Sequence, residues 1–156
     1  MTLADVKKFV SDFKSGNLKP LLKSEKAPKT ETVDGLTTIV SSTHDRIVND
    51  PTKDVLVEYY VDWCAHCMAM AGTYAELAAE VEDIPDLLIA KMNYTKNELE
   101  GFQVRHYPTI KFYPKGENKE PIAYQASKTL TDFTNWLHKN SEAYRAANPN
   151  YQAEKD

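Results

Sequence analysis

The segment Val61-Asp62-Trp63-Cys64-Ala65-His66-Cys67 carries both cysteines of the chain, directly after Asp54 to Val61, an almost unbroken run of β-formers. Such a run reads as a central strand covered on both faces. Cys64 to Glu82 is rich in Ala, Met, Leu and Glu, a helical composition that Gly72 weakens near the middle, where it would allow a bend. The pair therefore stands at a strand-to-helix junction. Two thiols at this spacing can close a small disulfide and reopen it, storing and transferring two electrons. With only 2 cysteines a disulfide framework is excluded, and a structural zinc site would have to borrow other ligands.

The remaining composition narrows the classes. The 156 residues fit one domain with extensions and can bury a real core. A net charge of −4 gives no electrostatic case for nucleic acid or an anionic membrane as partner. No stretch approaches the ~18 apolar residues of a membrane span. The N-terminal Met1 to Lys8 lacks the apolar core of a secretory signal. That is expected of a protein acting where it is made, or of a processed form or fragment.

Leu3, Val6, Phe9, Val10 and Phe13 follow helical spacing, and Gly16-Asn17 stops the pattern. Residues 19 to 34 hold prolines and charges with little periodicity and read as an extended linker. Beyond it, strands are expected over 36–40, 54–61, 86–93, 109–113 and 121–124. Helices are expected over 43–48, 64–82, 97–102 and 129–140, the first capped by Ser42 or Thr43 and the last by Ser127 or Thr129. Lys115-Gly116-Glu117-Asn118 reads as a hairpin turn. The tail from Ser141 is polar and expected to be loose. This order predicts an α/β domain with a parallel half and a terminal antiparallel hairpin.

A thiolate is the attacking species in disulfide exchange. Unpaired N–H groups at a helix start and the helix dipole favour the anion of Cys64. Cys67, one turn further in, is expected to resolve a mixed disulfide. His66 can place positive charge beside the pair. Trp63 would shield one side and offer an apolar surface to a peptide. Glu58 interrupts an otherwise apolar strand, so it is a candidate for a raised pKa and proton transfer. Lys91, breaking the run Leu87 to Ala90, is its natural partner on a neighbouring strand. Tyr107-Pro108-Thr109 precedes a strand, where a cis bond would bring backbone close to the sulfurs. His44 and His138 show no partner pattern and are expected at surface or structural positions.

Together these residues resemble the thioredoxin superfamily, and within it the catalytic domains of the protein disulfide isomerase family. The likeness runs over about residues 34 to 140. It is carried by Asp54 to Tyr60 with Trp63 to Cys67, by Ala90-Lys91-Met92-Asn93, and by Val104 to Tyr113 with its Tyr107-Pro108-Thr109 turn. The resemblance implies a thioredoxin fold: a central mixed sheet flanked by helices, with an N-terminal helix and linker extension. It divides the chain into residues 1–33 from a preceding domain, a catalytic domain over 34–140 and a polar tail over 141–156. It implies a thiol–disulfide oxidoreductase or isomerase of the endoplasmic reticulum lumen, acting on unfolded or misfolded polypeptides, with an oxidase or glutathione as redox partner. No cofactor and no metal are implied. By the same likeness the chain is the C-terminal part of a multidomain enzyme, without a signal peptide or complete retention signal of its own.

Carried over by position, Cys64 is the nucleophile, Cys67 the resolving thiol and His66 the stabiliser of the reduced site. Glu58 exchanges a proton with Cys67, with Lys91 nearby. Arg105 moves toward the site and lowers the resolving thiol's pKa. Trp63, Tyr107 and Pro108 contact substrate, and Pro108 is the cis-proline. The chain departs from the pattern at Asp62, Ala65, Met68 and His106, where the family usually has Pro, Gly, Lys and Gly. A cation lost and an anion gained near Cys64 both disfavour its thiolate, so a more reducing or slower site is expected. The alternatives are a peptide-binding chaperone module with weak redox activity and a thioredoxin-like reductase.

Overall fold

A computed structural model describes residues 23–153. The helix expected over 3–15 and the start of the linker lie outside the described residues. The strands are β1 (Thr32–Val33), β2 (Leu36–Ile39), β3 (Asp54–Tyr60), β4 (Leu87–Asn93), β5 (Thr109–Tyr113) and β6 (Ile122–Ala123). The helices are α1 (Ser41–Val48), α2 (Ala65–Glu80), α3 (Leu130–Asn140) and α4 (Glu142–Ala147). One mixed sheet runs in the order β1-β2-β4-β3-β5-β6. β2, β4 and β3 are parallel, whereas β5 pairs antiparallel with β3 and β6 with β5. The expected parallel half and terminal hairpin are both present.

Strand alternation decides which helix covers which face. Leu56, Ile89, Ile110 and Phe112 pack with Met70, Tyr74 and Leu77 of α2 and with Phe133 and Leu137 of α3. Val55, Val57, Tyr59, Ala90 and Met92 point the other way, onto Ile47 and Val48 of α1. In β3 both faces are therefore dry, as its continuous apolar text requires. The buried Cys67, Met70, Tyr74, Leu77 and Ala78 trace one stripe of α2. α2 continues through Gly72, which faces solvent. His44 is buried rather than superficial, and its Nε2 lies 2.8 Å from the Tyr59 hydroxyl, itself 2.7 Å from that of Tyr113.

Four local expectations are corrected. Residues 32–33 of the supposed linker form β1, turned back onto β2 by Asp34 and Gly35, whose φ angles of 50° and 82° suit a tight hairpin. α1 starts at Ser41 with Val40 as its cap, and the Thr43 hydroxyl accepts from the Val40 N–H at 3.1 Å. Residues 97–102 form no helix. The buried Asn97 side chain accepts from the N–H groups of Glu25 and Ser41 and donates to the Asn93 carbonyl, competing with helical bonding, and Gly101 turns left-handed at φ 70°. The described start of the tail is not loose. Glu142–Ala147 form α4, because the buried Asp54 carboxylate accepts from the Ser141 hydroxyl at 2.7 Å and the Ala143 N–H at 3.1 Å.

Gly35 carries a testable consequence. An added Cβ would meet the Ala78 carbonyl and the Glu82 side chain, in a backbone region that disfavours any L side chain. Gly35→Ala is expected to destabilise by about 2–4 kcal/mol, from strain and overpacking together. Urea denaturation at unchanged slope measures it, and an unshifted midpoint counts against the account.

Candidate active site

Cys64 and Cys67 are joined in a disulfide with Cα atoms 5.2 Å apart. Cys64 is the N-cap of α2, and its Sγ accepts from the Cys67 N–H at 3.0 Å. An orphan N–H of the first helical turn thus faces the sulfur that would carry negative charge. Exposure is 8% at Cys64 and 4% at Cys67. Val61 and the rings of Tyr60, Tyr94 and Tyr107 pack around the pair. Trp63, 74% exposed, and Met68, 66% exposed, leave apolar surface beside it.

Glu58 follows Leu56 by two positions and so faces α2. The parallel register sets it opposite Lys91, one strand away. It is 4% exposed, and burial raises its carboxyl to about 7, against the opposing pull of the Lys91 charge. A cavity of about 200 Å³ holds Glu58, Lys91 and Cys67 together, with Tyr60, Asp62 and Met68 on its walls. A carboxyl balanced near neutrality therefore shares a chamber with the inner sulfur.

The Tyr107–Pro108 bond is cis. Both residues line a groove of about 460 Å³ with His66 and His106. Arg105 is exposed and lines a second groove on that side; it does not wall the chamber of Glu58 and Cys67. Among the described residues, no group of three His, Cys, Asp or Glu side chains could hold a metal. No described helix is long and apolar enough to cross a membrane.

A family model described as Thioredoxin matches residues 35–139. The chain belongs to the thioredoxin family. Protein disulfide-isomerase of Saccharomyces cerevisiae is 39% identical to this thioredoxin-family chain over 136 residues, 86% of the chain and 26% of that protein. Protein disulfide-isomerase A3 of Gallus gallus is 39% identical over 134 residues, 85% of the chain and 26% of that protein. The chain thus spans about a quarter of the length of these curated relatives. In fold, the thioredoxin domain is similar to the first thioredoxin domain of mouse protein disulfide-isomerase A4, with a TM-score of 0.59 and 24% identity, covering 85% of this chain and 89% of that one.

Within the thioredoxin domain, Asp62 is the departure with the clearest surroundings. Its carboxylate accepts from the Asn93 side-chain amide at 2.8 Å, and its own N–H donates to the Thr95 hydroxyl at 2.9 Å. A proline would lose that second bond, so Asp62→Asn is the cleaner way to remove the charge. Asp62→Asn/Met68→Lys is expected to raise the redox potential on the order of 20 mV, from about 1 kcal/mol of added thiolate stabilisation. Equilibration with glutathione buffers measures it, and an unchanged or lowered potential contradicts the account. Sequence reasoning missed Lys128, which lines the Tyr107–Pro108 groove. Only the loop entering α3 brings it there, and no pattern near Cys67 signals it.

Proposed function

We propose that the domain is a thiol–disulfide oxidoreductase and isomerase acting on polypeptides that are acquiring disulfides. The observation that carries this reading is the Cys64–Cys67 disulfide at the α2 N-terminus, with Glu58 buried beside its inner sulfur. In the reducing direction the Cys64 thiolate attacks a client disulfide, forming a mixed disulfide and releasing one client thiolate. Cys67 gives its proton to Glu58, attacks the Cys64 sulfur and releases the second client sulfur as a thiolate. The Cys64–Cys67 bond has then formed and the client has gained two electrons. Oxidation runs the same steps backwards: a client thiolate attacks the Cys64 sulfur, and the departing Cys67 takes the proton from Glu58.

In this reading Lys91 keeps the Glu58 carboxyl from rising further. His66 stabilises the reduced pair, and Arg105 would have to move from its exposed position to affect Cys67. Trp63, Tyr107 and Pro108 hold the client chain against the sulfurs. The compartment we propose, from the likeness to disulfide isomerases, is the endoplasmic reticulum lumen, with an oxidase or glutathione restoring the redox state. Residues 1–33 and 141–156 are proposed to flank a catalytic unit over 34–140, with the last segment contributing α4 to its packing.

A second reading rests on the exposed Trp63 and Met68. It makes the domain a peptide-binding chaperone module whose sulfurs matter little. Insulin reduction and refolding of a scrambled disulfide substrate separate the two, with Cys64→Ala as the control. Full activity in that variant favours the binding module.

A further inference from the structure

Two grooves meet at the Tyr107–Pro108 turn. One, of about 460 Å³, starts beside the active-site disulfide at His66 and runs past His106 to Lys128. The other, of about 310 Å³, shares His106, Pro108 and Lys128 with it and continues past Arg105 and Lys111. Among the described residues, neither groove has an aspartate or glutamate in its lining. This is unexpected in a chain with 23 acidic residues and a net charge of −4. The cations are also uncommitted: no ion pair among the described residues engages Arg105, Lys111 or Lys128. The Lys128 ammonium donates to the Ala126 carbonyl at 3.2 Å, which holds it in place without neutralising it, whereas the Lys111 ammonium lies 4.5 Å from the centre of the Phe102 ring, on the α1 side of the sheet. The chamber on the other side of the disulfide differs in having carboxyls on its walls, Glu58 and Asp62, together with Lys91.

We propose that this basic trough selects clients bearing acidic residues next to the reacting cysteine. Building on the exchange reaction above, the acidic flank lies along His106, Lys128 and Arg105 while the client sulfur meets Cys64. Like charges in the trough would repel a lysine-rich flank, and complementary charge accelerates encounter more than it tightens binding.

The test uses two synthetic peptides, each a cysteine-linked, self-quenched fluorescent dimer, one with the sequence Glu-Glu-Cys-Glu-Glu and the other Lys-Lys-Cys-Lys-Lys. Reduction by the reduced protein is followed in stopped flow, and each rate is divided by that peptide's rate with dithiothreitol to cancel intrinsic thiol reactivity. At about 10 mM ionic strength the glutamate peptide is expected to react roughly 10-fold faster, and the preference should collapse near 1 M, where screening is short-ranged. Lys128→Glu should cut the low-salt preference to about 3-fold or less. Lys128→Gln and His106→Gly should lower it in smaller steps, and they serve if the glutamate variant does not fold. Equal normalised rates, or a preference indifferent to salt and to every one of these variants, overturn the selection while leaving disulfide exchange intact. Reduction of neither peptide overturns the exchange reaction and the selection together.

Discussion

Cys64→Ala is expected to lower insulin reduction by at least about 10³-fold, whereas Cys67→Ala should stop after a single covalent step. The asymmetry follows from the helix start. Cys64 is the cap that receives the Cys67 N–H, so its thiolate has a hydrogen-bond donor and the positive end of α2 in front of it. Cys67 lies inside the first turn, at 4% exposure, beside a carboxyl that can take its proton. Removing the outer sulfur leaves no accessible nucleophile. Removing the inner one leaves a nucleophile that captures a client and cannot let go. Non-reducing electrophoresis with mass mapping should find the trapped client on Cys64, and release resumes only with an added small thiol. A Cys64→Ala variant that still reduces insulin at the parent rate would falsify the exchange mechanism.

Glu58→Gln is expected to stabilise the protein and slow it at once. Burial raises the folded-state carboxyl to about 7, against an ordinary value of 4.5. The folded form therefore keeps the proton between these values while the unfolded chain loses it. The contribution of Glu58 to stability is whole below pH 4.5 and falls as pH rises through 7. At pH 8 the cost reaches about 3 kcal/mol, which the amide variant does not bear. His44 produces a separate change, because burial depresses it and stability is lost as pH falls below 6.5. That loss is common to both proteins and cancels in their difference. Denaturant titrations at pH 5 and pH 8 should thus show a Gln-minus-parent gap that is small at the first and about 2–3 kcal/mol at the second. Client release should slow by ~10²-fold in the variant, the usual range for a lost proton-transfer group, with mixed disulfide accumulating. A gap that does not widen with pH removes the buried-acid account. Unchanged release kinetics remove the proton-transfer role.

How much of this was legible beforehand differs from residue to residue. The cysteine pair was, because its meaning rests on a three-residue spacing and the run before it. Glu58 and Lys91 were also legible as neighbours. One charged residue in each of two apolar strands invites pairing, and the parallel register of β3 and β4 sets them opposite each other. The turn at 97–102 was misread because its composition permits a helix, and only bonds from Asn97 to Glu25 and Ser41, far apart in the chain, favour the irregular path. The tail was misread for a similar reason. Ser141 and Ala143 look polar and small in isolation, and the Asp54 carboxylate that organises them stands at the start of β3.

From the residues alone, the central strand–helix alternation and the poised sulfur pair could be determined, but not β1, α4 or the irregular path over 97–102, since periodicity and capping act over a few neighbouring positions. Tertiary structure decided what surrounds the pair. Desolvation of Glu58 depends on packing from several elements at once, and the basic trough unites His66, Arg105, His106 and Lys128 from separate segments. Charge acts through space, so its arrangement exists only once the sheet has brought those segments to one side of the disulfide.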